Sequence, residues 1–81
     1  MSTEHPVMQH TDAVNITVVV NGDARQVCTG ETIAGLVSSL GLDPERLAVE
    51  LDRRIVKRAQ WASTLLAAGA QIEIVQFVGG G

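Results

Sequence analysis

Hydrophobic and polar positions along the chain fall into short alternating and helical runs separated by turn residues. Asn15-Ile16-Thr17-Val18-Val19-Val20 is β-branched after its first residue, and Ile16, Val18 and Val20 share one face, which predicts a strand. Asn21-Gly22 follows, a pair suited to a tight hairpin turn whose two central residues both need positive φ, and Gln26-Val27-Cys28 makes the return strand. Ile33, Leu36, Val37 and Leu40 recur at i, i+3, i+4 and i+7 and predict a helix of about two turns, with Thr32 as N-cap. Gly35 at the third helical position removes the acidic partner of a reciprocal capping box. Gly41, in the left-handed conformation, stops the helix, and Leu42 folds back over its last turn.

The second half reads differently. Asp43-Pro44 opens a connecting turn, and Arg46 to Leu51 alternates Leu47, Val49 and Leu51 against Ala48 and Glu50, a half-buried strand. Asp52-Arg53-Arg54 turns the chain into Ile55-Val56, a short strand suited to a sheet edge. No period decides Ala59 to Ala68; a helical turn around Trp61 fits it, with the indole plugging a satellite of the core. Gly69 reopens the chain for a final strand, Gln71 to Val78. One striped helix and one small sheet make a two-layer α+β domain, because a helix this short is stable only when its apolar face is covered. The hairpin followed by a helical crossover favours a right-handed parallel return.

Composition narrows the class. At 81 residues the chain is one domain near the lower limit for folding without staples. A single cysteine excludes an internal disulfide framework, and Cys28, placed in a strand, is expected to be a buried structural thiol. Met1 to Ala13 is polar, aperiodic and lacks a signal-peptide pattern, so it reads as a disordered leader of a cytoplasmic protein. The net charge of −3 argues against nucleic acid, and no apolar run approaches a membrane span. His5 and His10 lie in the leader, far from Cys28, so no metal-ligand spacing exists. Neither a Ser-His-Asp nor a Cys-His set is present, and no paired carboxylates share a credible cleft.

The distinctive chemistry is at the end. Gly79-Gly80-Gly81 follows the final strand directly and carries the terminal carboxylate. Without β-carbons these residues enter a narrow tunnel, and they reach roughly 10 Å beyond the last ordered position. Because fixing three glycines costs much backbone entropy, the tail is expected to be ordered only within a complex. A carboxylate is a poor electrophile until joined to a good leaving group such as AMP, and another protein has to supply that step.

Several segments together resemble the ThiS family, the bacterial sulfur carriers of thiamine biosynthesis. They are Val20-Asn21-Gly22, Gly30-Glu31-Thr32-Ile33, Leu40-Gly41-Leu42, Ala48-Val49-Glu50-Leu51, Ile55-Val56, Arg58, Trp61 and the closing EIVQFVGGG of Glu73 to Gly81. Lys57 stands where the family often has proline, Asp52-Arg53 where an Asn-Gly-like turn is usual, and Ala70 where aspartate often follows glycine. The resemblance implies a β-grasp fold, that of ubiquitin, with the last strand central beside the first. Covering about Ile16 to Gly81, it implies a β-grasp domain over 14–78 and a carrier tail over 79–81, after a leader over 1–13 that is longer than the family's usual one. It also implies that a ubiquitin-activating-type (ThiF-like) adenylyltransferase uses ATP to join AMP to Gly81, and that sulfur derived from cysteine then replaces AMP. A ThiG-like thiazole synthase would take the sulfur, leaving the carrier a co-substrate without a bound cofactor, monomeric when free. Sister carriers for molybdopterin or cysteine synthesis share the fold and the glycine end, and a ubiquitin-like protein modifier is an alternative of a different class.

Other residues are candidates for docking. If Ile72 and Ile74 face the helix, Val75 and Phe77 point away from it near the root of the tail, where an apolar patch suits a partner; ordinary edge packing is the plainer reading. Arg53, Arg54, Lys57 and Arg58 form a basic cluster in sequence that would steer an acidic partner, although such clusters are more often solvated turns. Deleting residues 1–12 is expected to leave thermal melting and carrier activity unchanged, which a side-by-side comparison with the full chain checks.

Overall fold

The computed structural model describes residues 15–78. The expected leader, Val14 at the start of the domain and the Gly79–Gly81 tail lie outside the described residues. Five strands form one mixed sheet: β1 Asn15–Val20, β2 Asp23–Cys28, β3 Leu47–Leu51, β4 Arg54–Val56 and β5 Gln71–Gln76. Among the described residues one α-helix, α1 Ile33–Ser39, covers one face, and two 3-10 turns, Pro44–Arg46 and Arg58–Ser63, lie in the connections. The sheet order is β2-β1-β5-β3-β4. β5 is parallel to β1 and antiparallel to β3, so the last strand lies centrally beside the first, the β-grasp arrangement.

Both hairpins close on two residues with positive φ, Asn21 (50°) with Gly22 (87°) and Asp52 (50°) with Arg53 (73°). This turn geometry matches the natural twist of the flanking strands. The second turn is therefore tighter than a reading over Asp52 to Arg54 suggests, because Arg54 already pairs with Leu51. Arg53 takes the left-handed conformation without being glycine, at a cost of roughly 1–2 kcal/mol.

The helix ends are satisfied by side chains and by backbone. Gly35 N donates to Thr32 Oγ1 at 3.0 Å, and Thr32 N donates to Glu31 Oε1 at 3.1 Å. Glu31, one residue ahead of the cap, thus serves the donor that a capping box would reach from the third helical position. Its carboxylate lies where a β-carbon on Gly35 would sit, so a larger residue there would displace this bond. At the other end Gly41 N donates to Ser38 O and Leu42 N to Val37 O, a Schellman closure.

The helical stripe meets the sheet as its spacing requires. Ile33 and Leu36 are fully buried and Val37 nearly so, packed with Val18, Leu47, Val49 and Ile72. Trp61 fills the side of this core, its indole Nε1 donating to Val56 O at 2.8 Å, so the region without a clear period is a 3-10 turn anchored by its tryptophan. Thr32 bridges to Leu65, and Leu66 N donates to Glu31 O, which ties this turn to the start of the helix. The final strand stops at Gln76, two residues short of the expected end, because β3 begins at Leu47 and offers no rung beyond Gln76 except Arg46 O, taken by Phe77 N.

Cys28 is exposed, against the expectation of a buried thiol. It closes β2, an edge strand, opposite Asn15, and only Val27 of that strand turns inward among its neighbours. Leu36→Asp is expected to abolish cooperative thermal unfolding, since it buries an unpaired charge in a core one side chain thick, whereas Leu36→Ala should retain it with a loss of about 2–5 kcal/mol.

Candidate functional site

The site to be built is the end of β5, from which the chain proceeds to Gly81. Alternation along β5 puts Ile72 and Ile74 on the helix side and Glu73 and Val75 on the other. Val75 is 56% and Phe77 55% exposed, so both expected docking residues stand in solvent beside the root of the tail. The strand register adds neighbours on the same open face: Ala48 lies opposite Val75, Glu50 opposite Glu73, and Ile55, 75% exposed, opposite Glu50. Sequence alternation did not single out Ala48, Glu50, Ile55 or Glu73, because cross-strand neighbours depend on a register that only the fold fixes.

Two carboxylates facing each other on adjacent strands repel, and directly opposed like charges weaken a sheet. Among the described residues, neither Glu50 nor Glu73 has an ion-pair partner; the ion pairs are Arg46–Asp43 at 3.8 Å and Arg58–Glu45 at 3.9 Å. The open face is thus apolar around an unneutralised acidic centre.

The basic cluster seen in sequence is divided by the fold. Asp52 N donates to Gln71 O, and Gln71 N to Asp52 Oδ1, so Arg53 and Arg54 sit by the first residue of β5. That is five residues, roughly 17 Å, from Gln76 and the tail root. Strand β4 then carries the chain back, and Arg58 reaches the tail end, where it meets Glu45 beside Arg46, the acceptor of Phe77 N. Arg53 and Arg54 therefore do not join Arg58 in one patch, and the Arg58 pair is solvent-exposed and contributes little to stability.

β5 is held from both sides by turn residues. Asp52 binds its first residue from the β3–β4 turn. From the β1–β2 turn, Asn21 N donates to Ile72 O at 2.8 Å, Ile74 N donates to Asn21 Oδ1 at 2.7 Å, and Asn21 Nδ2 donates to Ile74 O at 3.2 Å. Among the described residues no three His, Cys, Asp or Glu side chains gather as metal ligands, and no helix is long and apolar enough to cross a membrane. The predicted site residues Gly79, Gly80 and Gly81 lie outside the described residues. What the arrangement offers is a strand end held by backbone and turn side chains and flanked by an exposed apolar face.

The ThiS family model matches residues 13–81 of the chain. The thiazole synthase of Magnetococcus marinus is 39% identical over 62 residues, 76% of this chain and 19% of that protein. That of Paramagnetospirillum magneticum is 36% identical over 64 residues, 79% of this chain and 20% of that protein. The chain thus spans about a fifth of the length of these curated thiazole synthases. The sulfur carrier protein ThiS of Escherichia coli is 31% identical over 64 residues, 79% of this chain and 97% of that protein. The crystal structure of the thiamine biosynthesis protein ThiS from Geobacter metallireducens superposes with a TM-score of 0.71 at 28% identity, covering 82% of this chain and all of that one.

Relief of the facing carboxylates is directly measurable. Glu73→Gln is expected to stabilise the domain by about 0.2–1 kcal/mol in low salt, with the gain shrinking as ionic strength rises. Denaturant titrations of both proteins at two salt concentrations check it.

Proposed function

The chain belongs to the ThiS family, and from that premise we propose that it is a sulfur carrier of thiamine biosynthesis whose cargo rides on the carboxylate of Gly81. The observation that carries the proposal is the central strand β5, pinned on both sides and running into Gly79-Gly80-Gly81. The proposal requires a mature chain that ends at Gly81.

The chemistry proceeds in two displacements. A carboxylate oxygen of Gly81 attacks the α-phosphorus of ATP held by a ThiF-like adenylyltransferase, and pyrophosphate leaves with the bonding pair. The acyl adenylate then has a carbonyl carbon open to attack. A hydrosulfide equivalent adds to it, AMP departs with the C–O electron pair, and a thiocarboxylate remains. A ThiG-like thiazole synthase accepts the sulfur, and water restores the carboxylate. Beyond the tail carboxylate itself, the domain supplies no acid, base or nucleophile to these steps; it is a co-substrate that delivers that group in a defined position, which is where the rate advantage of tethering arises.

The open face of Ala48, Ile55, Val75 and Phe77 serves as the docking surface. Its acidic centre, Glu50 with Glu73, suits a partner that places a basic side chain among apolar ones, so that burial of the face also relieves the repulsion. Arg53 and Arg54 have at most a peripheral role, since they lie at the far end of the sheet. Family membership favours thiazole formation over molybdopterin or cysteine synthesis, and two relatives named as thiazole synthases point to that partner.

Incubated with the adenylyltransferase, ATP and sulfide, the intact protein is expected to gain about 16 Da, one oxygen replaced by sulfur. One residue added after Gly81 should abolish the gain, and Cys28→Ser should leave it intact. A shift that survives the extension but disappears with Cys28→Ser would place the sulfur on the cysteine and overturn the proposal.

A further inference from the structure

We propose that Asn21 is the positioning residue of the carrier tail: its side-chain carboxamide stands in for a peptide group of β1 and fixes the place where β5 gives way to the tail. The inference rests on the carrier reading above for its functional half, and on hydrogen-bond geometry for its structural half.

Along the parallel pair, Val19 N donates to Ala70 O and Asn21 N donates to Ile72 O, both at 2.8 Å. The next rung needs an acceptor for Ile74 N–H and a donor for Ile74 C=O. The backbone of β1 can offer neither, because Asn21 and Gly22 turn it away with φ of 50° and 87°. The carboxamide of Asn21 offers both, accepting from Ile74 N at 2.7 Å and donating to Ile74 O at 3.2 Å. A carboxamide is planar and carries a donor and an acceptor side by side, as a peptide group does. The turn alone would accept Asn, Asp or Gly at this position. Asp lacks the donor and Gly lacks both groups, so the choice of asparagine answers to β5 as well as to the turn.

The position of this clasp matters for the tail. Beyond Ile74 the β1 side of β5 opens into a groove of about 340 Å³ lined by Val20, Ala24, Leu40, Leu42, Ile74 and Gln76. From there on the strand is held on the β3 side, with Val75 opposite Ala48 and Phe77 N donating to Arg46 O. Without the carboxamide, two-sided pairing would end at Ile72, adding two residues, roughly 7 Å of contour, to the part held from one side. A carboxylate that must meet a phosphorus atom in line is sensitive to displacements of this size. Asp52 provides the contrast, since it clasps the opposite end of the same strand at Gln71, with φ of 50° and a side-chain bond of 2.9 Å.

The test uses the full chain and three variants: Asn21→Gly, Asn21→Asp and Asp52→Gly. Glycine fits the positive φ at either site, so each glycine variant keeps its turn and loses only its clasp. Amide exchange reads the ladder, and thiocarboxylate formation with the adenylyltransferase, ATP and sulfide reads the function. Asn21→Gly is expected to lower protection of the Ile74 amide by about tenfold or more while the β1–β2 amides hold. Its kcat should fall about tenfold with KM changed less than about twofold, because docking is retained and alignment is lost. Asn21→Asp, which keeps the acceptor, should fall between Asn21→Gly and the parent chain, and Asp52→Gly should keep the parent kcat. The inference is overturned if Asn21→Gly keeps the parent kcat or Ile74 protection, or if Asp52→Gly loses kcat equally, which would reduce the effect to stability. Should Asn21→Gly fail to fold, the same comparison of kcat and Ile74 exchange between Asn21→Asp and Asp52→Gly decides. If the parent chain itself gains no sulfur, the carrier reading fails, and Ile74 exchange alone then decides whether Asn21 holds the strand.

Discussion

β5 lies between β1 and β3, so as far as Ile74 its backbone is held from both sides, and each remaining part of the domain is organised around that placement. The parallel contact with β1 is brief, two register pairs, and the antiparallel contact with β3 extends over five. The shortfall on the β1 side is made up by Asn21, whose backbone and side chain together extend the ladder from Ile72 to Ile74. On the helix side Ile72 enters the core formed by Ile33, Leu36 and Val49. A small domain has few apolar contacts to spare, so a strand fixed by ladder bonds, turn side chains and core packing at once is the natural base for a group that must be delivered in one direction.

Much of this was legible in the residues, and the limits have physical reasons. The stripe of Ile33, Leu36, Val37 and Leu40 and the Asn21-Gly22 turn are local signals with fixed geometry, and the helix and first hairpin follow from them. The face of Val75 and Phe77 was legible only conditionally, because alternation says which residues share a face and not which face the helix covers. Non-local facts were not legible. The opposition of Glu50 and Glu73 depends on register between strands twenty-odd residues apart, and the separation of Arg53 and Arg54 from Arg58 depends on the three-residue strand between them reversing the chain. Cys28 was misplaced because burial depends on which sheet face a residue shares and on strand order, and neither appears in β-propensity. Glu31 capping from outside the helix was missed because the capping-box pattern looks forward to the third helical position, where this chain has Gly35.

The site carries its function by what it presents. An exposed apolar face around two unneutralised carboxylates weakens the free domain slightly and gives a partner something to gain by covering it. The strained turn at Asp52-Arg53 lies at the opposite end of β5 and holds the strand's start, leaving the other end to the tail. Under the proposed function, docking and delivery would be adjacent on one strand, with Val75 and Phe77 between them.

The central claim is that β5 is held as one unit as far as its last backbone bond, Phe77 N to Arg46 O. Backbone relaxation of the isolated chain, read amide by amide from Gln71 to Val78, tests this most directly. The order parameters should stay near about 0.85 through Phe77, whose amide is held by Arg46 O, and then drop at Val78. A steady decline starting at Ile72 would contradict the account, since it would mean that the strand frays as a whole and that neither the turns nor the sheet fixes the root of the tail.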